Sequence, residues 1–102
     1  MLKVETLVKR ALKRVKLPGT VAETRFELGE DPWGWRYVYF WIILRDGLPE
    51  SAWSQKTLRP MREGLEKTIE TSLRNAGLDW SVYTAFRAQS EQDEIDAETV
   101  TR

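Results

Sequence analysis

The chain has 102 residues, 41% of them hydrophobic and 31% charged, with sixteen basic and sixteen acidic side chains and a formal net charge of zero. That is enough for one hydrophobic core without disulfide or metal staples. The absence of Cys and His excludes disulfides, thiolate nucleophiles, the usual zinc sites and imidazole acid–base chemistry.

Val4, Leu7, Val8, Ala11, Leu12 and Val15 recur at spacings of three and four, and predict an amphipathic helix over 2–16 that Pro18-Gly19 stops. The opposite arc of this helix is basic. Lys3, Lys9, Arg10, Lys13, Arg14 and Lys16 stand against Glu5 alone, a net of +5 over residues 1–17. The pattern has no continuous apolar run, so it is not expected to be a secretory signal. Residues 21–28 alternate, with Ala22, Thr24, Phe26 and Leu28 on one side and Val21, Glu23, Arg25 and Glu27 on the other, as a half-buried strand does. Gly29 to Gly34 carries the turn signals Gly, Asp-Pro and Gly.

The second strand, 35–45, is apolar on both faces. Val38, Phe40, Ile42 and Leu44 point one way; Trp35, Tyr37, Tyr39, Trp41 and Ile43 point the other. Asp46-Gly47 and Pro49 end it, and Ser51 or Ser54 could cap a short helical turn. Met61, Leu65, Ile69, Leu73 and Ala76 predict a helix over 59–76, with Pro60 in its first turn and a left-handed cap at Asn75-Ala76-Gly77 closed by Leu78. Gly64, inside that helix, suggests close backbone packing. Glu63–Lys67 and Glu70–Arg74 read as ordinary surface ion pairs. A third strand, 80–88, sets Trp80, Val82, Thr84 and Phe86 against Ser81, Tyr83, Ala85 and Arg87.

The expected fold is therefore a two-layer α+β sandwich of order α-β-β-α-β, a three-stranded mixed sheet with two helices on one face. Residues 1–88 form the single globular domain. Residues 91–102 carry a net charge of −4, and 89–102 are expected to be an acidic, disordered tail. The order is loosely similar to the type II KH-like arrangement of RNA-binding and ribosome-assembly proteins. That family's GxxG clamp is absent here, so the similarity is one of topology and no RNA-contacting residue carries over.

With the even row of the second strand under the helices, the odd row is a surplus. Four such rings, mostly uncovered, would expose on the order of 600 Å² or more, against about 300–600 Å² for the largest patch on a typical monomer. Trp35, Tyr37, Tyr39, Trp41 and Tyr83 are thus the candidate interface. A homodimer is the first expectation and another protein or a flat apolar ligand the next. The alternative in a different class is single-stranded nucleic acid, with bases stacked on these rings and Arg25, Arg36, Arg87, Lys9 and Lys13 on phosphates. The chain's own tail is too polar to be expected there. The strand spans roughly 36 Å and the main helix roughly 27 Å, so Trp33 and Trp35 are expected to overhang the helices.

The acids lie on turns, helix surfaces and the tail, and Gly29-x-x-x-x-Gly34 lacks the Lys-Ser/Thr of a phosphate loop. No catalytic, cofactor-binding or metal-binding residue is therefore singled out, and no enzyme activity is expected. No run of eighteen apolar residues is present, so no membrane span is expected. The cytoplasm is the expected location.

Overall fold

The computed structural model describes residues 3–100, with Val100 described by its backbone alone. Leu2, at the start of the predicted first helix, and Thr101 and Arg102 of the tail lie outside the described residues. The element order is α1 (Val4–Leu12), β1 (Val21–Glu30), β2 (Arg36–Leu44), a 3-10 turn (Glu50–Trp53), α2 (Gln55–Asn75), β3 (Ser81–Ala88) and α3 (Gln89–Val100). The fold is α+β with a three-stranded mixed sheet.

Helix α1 is shorter than its periodicity predicts. Arg14 N–H donates to the Ala11 carbonyl at 3.0 Å and Val15 N–H to the Leu12 carbonyl at 3.1 Å. These are three-residue spacings, so the last turn tightens and the helix ends before Pro18. Strands β1 and β2 form the antiparallel hairpin, with Phe26 opposite Phe40 and Glu27 opposite Tyr39. Strand β3 pairs parallel with β2, placing Val82 beside Val38 and Tyr83 beside Tyr39. The sheet order is β1-β2-β3, so the apolar-on-both-faces strand is central, where both faces can be covered.

Helix α2 begins four residues earlier than the sequence predicts. Ser54 caps it, its Oγ accepting the Thr57 N–H at 3.3 Å. Pro60 therefore lies in the second turn rather than the first, where it removes the bond that the Lys56 carbonyl would accept. The predicted C-terminal cap forms. Leu78 N–H reaches the Leu73 carbonyl at 2.9 Å, Gly77 N–H the Arg74 carbonyl at 2.9 Å, and Gly77 has φ +79°.

Val8 and Ala11 of α1 and Leu58, Leu65, Ile69 and Leu73 of α2 bury their stripes on Val38, Phe40, Ile42, Leu44 and Val82, in one cluster. Both helices thus cover the even face of the sheet. Gly64 is a correction: it is exposed, and a methyl group added there meets nothing within 4 Å. Gly64→Ala is therefore expected to stabilise the fold by about 0.5–1 kcal/mol, since alanine loses less backbone entropy in a helix. A raised melting temperature would show it, and a lowered one would mean that the backbone does need glycine there.

The tail is the main departure from the sequence reading. Residues Gln89–Val100 form α3, where disorder is expected from composition. The helix follows β3 with no intervening loop, and its first turn is pinned by Ser90 N–H donating to Asp46 Oδ1 at 3.1 Å. It lies on the odd face, opposite α1 and α2. Among the described residues, no helix is long and apolar enough to cross a membrane.

Candidate interaction surface

The tip of the hairpin is built around Asp31. Its Oδ1 accepts the N–H groups of Trp33 and Trp35, both at 2.9 Å. Gly34 N–H closes a turn onto the Asp31 carbonyl at 3.0 Å, and Asp31 N–H donates to the Trp35 carbonyl at 2.9 Å. Pro32 suits the second position of such a turn, and Gly34 supplies the φ of +87° that ends it. One carboxylate thus orders a five-residue loop whose two indoles stand in solvent. Trp33 is 82% exposed and Trp35 is 63% exposed. Trp35 sits just before β2 rather than inside it.

From this tip a file of rings runs down the odd face. Tyr37 contacts Tyr83 edge-on with centroids 6.1 Å apart. Tyr83 leans on Tyr39 at 6.3 Å, and Tyr39 on Trp41 at 4.5 Å. Tyr37 also lies across Gly29, its cross-strand partner, and any β-carbon at Gly29 would collide with that ring. Glycine is needed there for this close approach.

Helix α3 divides the face in two. Arg25 donates to Asp96 through both Nη atoms, Nη1 to Oδ1 and Nη2 to Oδ2, each at 2.7 Å, and reaches Glu23 at 3.2 Å. Arg87 donates to Gln92 at 2.7 Å while stacking 5.3 Å over Trp41. Gln92, Ile95 and Asp96 are the inward positions of α3, at spacings of three and four. Beneath them Ile43 is fully buried, though it does not belong to the cluster under α1 and α2. The Arg25 guanidinium, with a smaller share from the Gln92 amide, holds the Asp96 carboxyl below its ordinary range.

The structure thus corrects the expectation that the tail would leave the sheet. A helix can be too polar for a core and still cover a strand, because here it docks through charged and amide hydrogen bonds rather than an apolar stripe. One signal for this is present in the sequence. Residues 89–100 contain neither Gly nor Pro and are rich in the helix formers Gln and Glu.

Tyr37, Tyr39, Trp41 and Tyr83 come together as one surface, with Trp41 at the margin of α3 and Trp35 at the far tip. The five proposed phosphate contacts do not. Arg25 and Arg87 are tied to α3. Arg36 points to the opposite face and lies 5.8 Å over Trp80. Lys9 is paired with Glu5 at 3.1 Å, and Lys13 lies at the C-terminal end of α1 on the helix layer. The open half of the odd face carries Glu27 and, among the described residues, no lysine or arginine.

Comparison with protein-family models, with curated proteins and with solved structures finds no match to this chain. The functional reading therefore rests on the geometry alone.

Proposed function

We propose that this protein is a small non-catalytic interaction module that self-associates through the open aromatic surface of its sheet. The supporting observation is the continuity of that surface, from Trp33 and Trp35 through Tyr37 and Tyr83 to Tyr39. Each such ring offers about 150–250 Å². With Trp33 82%, Trp35 63% and Tyr83 51% exposed, these three alone present on the order of 400 Å² to water. The half-buried Tyr37 and Tyr39 enlarge the patch to the upper limit for a free monomer. A standard interface buries about 800 Å² per partner, so the patch supplies the apolar centre of one. Two copies related by a twofold axis would cover it with itself. A formal net charge of zero removes the long-range repulsion that keeps many proteins apart.

Nucleic acid is the weaker alternative. Stacked bases bring phosphates, and among the described residues the open half of the face offers an acid and no cation. Sedimentation equilibrium from one to a hundred micromolar should give about twice the 11.9 kDa chain mass. The double variant Trp35→Ser, Tyr83→Ser should sediment as a folded monomer, because it removes two exposed aromatic anchors, one at the hairpin tip and one in the file of rings, that contribute at least about 2 kcal/mol each. A wild-type monomer throughout that range would overturn the proposal. Salt-dependent binding of a labelled single-stranded oligonucleotide by such a monomer would favour the alternative.

A further inference from the structure

On the side of the molecule away from the aromatic rings, α1 and α2 leave a groove of about 550 Å³ along their outer seam. Arg10 on α1 and Arg14 in the tightened turn just after it face Lys67, Thr68, Thr71 and Ser72 on α2 across it. Among the described residues, no acidic side chain lines the groove. Arg14 is drawn across the seam, its Nη2 donating to Ser72 Oγ at 2.7 Å.

Among the described residues, none of the three cations has a carboxylate partner. The Glu63–Lys67 pair that the sequence suggests does not form: the ion pairs among the described residues are Glu5–Lys9, Glu23–Arg25 and Arg25–Asp96. Glu70 belongs to the other flank of α2, beside β3. Elsewhere Lys9 and Arg25 meet carboxylates, and Arg36, Arg62 and Arg87 lie over rings. Three like charges gathered without a counter-ion repel one another, and an anion between them relieves the repulsion.

We infer that this groove binds a small phosphorylated ligand through a di- or triphosphate group. Guanidinium forks match phosphate oxygens in paired hydrogen bonds, and a lysine adds a point charge. The hydroxyls of Thr68, Thr71 and Ser72 supply neutral donors to the remaining oxygens. Three positive charges fit a di- or triphosphate better than a single phosphate. Among the described residues no aromatic side chain lines the groove, so none of them stacks a base there, and the phosphate chain itself is what is recognised. The volume lies within the range of about 300–1,000 Å³ usual for small-molecule sites.

The test is calorimetric titration of the full chain with sodium tripolyphosphate, ATP and AMP in separate arms, at two salt concentrations. Saturable one-to-one binding of tripolyphosphate and ATP with similar affinity is expected, weakening with salt, while AMP binds at least tenfold more weakly. Arg10→Ala and Lys67→Ala should each weaken tripolyphosphate binding about tenfold, the usual scale for one charge-assisted hydrogen-bonded contact. Lys13→Ala removes the same charge from the same helix outside the groove, and should change binding less than twofold. All three positions are exposed, and circular dichroism would verify that each variant is folded. Equal losses at Lys13 and Arg10 would reduce the effect to diffuse charge and overturn the inference. Binding of ATP without tripolyphosphate would overturn it as well, by showing that a base is read. Neither result depends on whether the chain self-associates through its sheet, since mass is measured independently in the same samples.

Discussion

Phe40→Ala is expected to remove about 3–5 kcal/mol of folding stability, the usual cost of deleting a buried ring. Phe40 is fully buried, packs 5.6 Å from Phe26, and lies in the cluster under both helices. A domain of this size is stable by about 5–15 kcal/mol, so a large part of the total is at stake. Tyr39→Ala, one residue away, should cost only about 1–2 kcal/mol, because it loses ring contacts on a half-open surface rather than a place in the core. Its larger effect should fall on association. Urea denaturation of the two variants at one low protein concentration separates them. A larger loss for Tyr39→Ala than for Phe40→Ala would mean that the faces of β2 are reversed.

A chain ending at Ala88 is expected to lose about 2–3 kcal/mol, because removing α3 returns Ile43 and part of Trp41 to water. Its tryptophan emission should shift to the red, and its tendency to associate should rise as the two halves of the odd face join. Asp96→Asn should shift the urea midpoint far less, since the Arg25–Asp96 pair is substantially exposed and screened by solvent. If the two changes were equally costly, α3 would be held by that pair alone and its cover of Ile43 would count for nothing.

The same pair makes α3 sensitive to acid. Arg25 lowers the folded-state pKa of Asp96 below its unfolded value. Its contribution is complete above the unfolded value and is lost as the pH falls through the lowered one. The Trp41 environment should therefore be constant across neutral pH and change only in acid, below the ordinary carboxylate range. In Asp96→Asn this acid step should be absent.

The hairpin, the helix stripes and the parallel return of β3 were legible in the sequence because each buries a periodic row of apolar residues. Period two in residues 21–28 and 35–45, and spacings of three and four around Leu65, Ile69 and Leu73, each admit one arrangement that hides the row. Boundaries were less legible where local hydrogen bonds decide them. The Ser54 cap starts α2 a turn early, and the tightened turn after Leu12 ends α1.

The candidate surface was only half legible. The ring residues follow from alternation, but their cover does not. Residues 89–100 hold Ile95 as their sole large aliphatic before Val100, so no apolar period marks them as part of the fold. What seats α3 is a set of directional contacts between residues far apart in the chain: Arg25 with Asp96, Ser90 with Asp46, and Arg87 spanning Gln92 and Trp41. The groove between α1 and α2 was hidden for the same reason. The basic arc of α1 was visible, but the arrival of Lys67 and three hydroxyls opposite it depends on how the two helices pack.

By itself, then, the sequence determined most of the core, Leu58 and Ile43 apart, and that a surplus row of rings must lie on the other side of β2. Apolar burial follows periodicity, and periodicity is local. Tertiary structure alone decided that α3 covers the Trp41–Ile43 end of that row, that Arg25 and Arg87 hold α3 in place, and that Trp33, Trp35, Tyr37, Tyr39 and Tyr83 remain open. Hydrogen bonds and ion pairs depend on angle and distance between distant residues, and only the folded chain sets those.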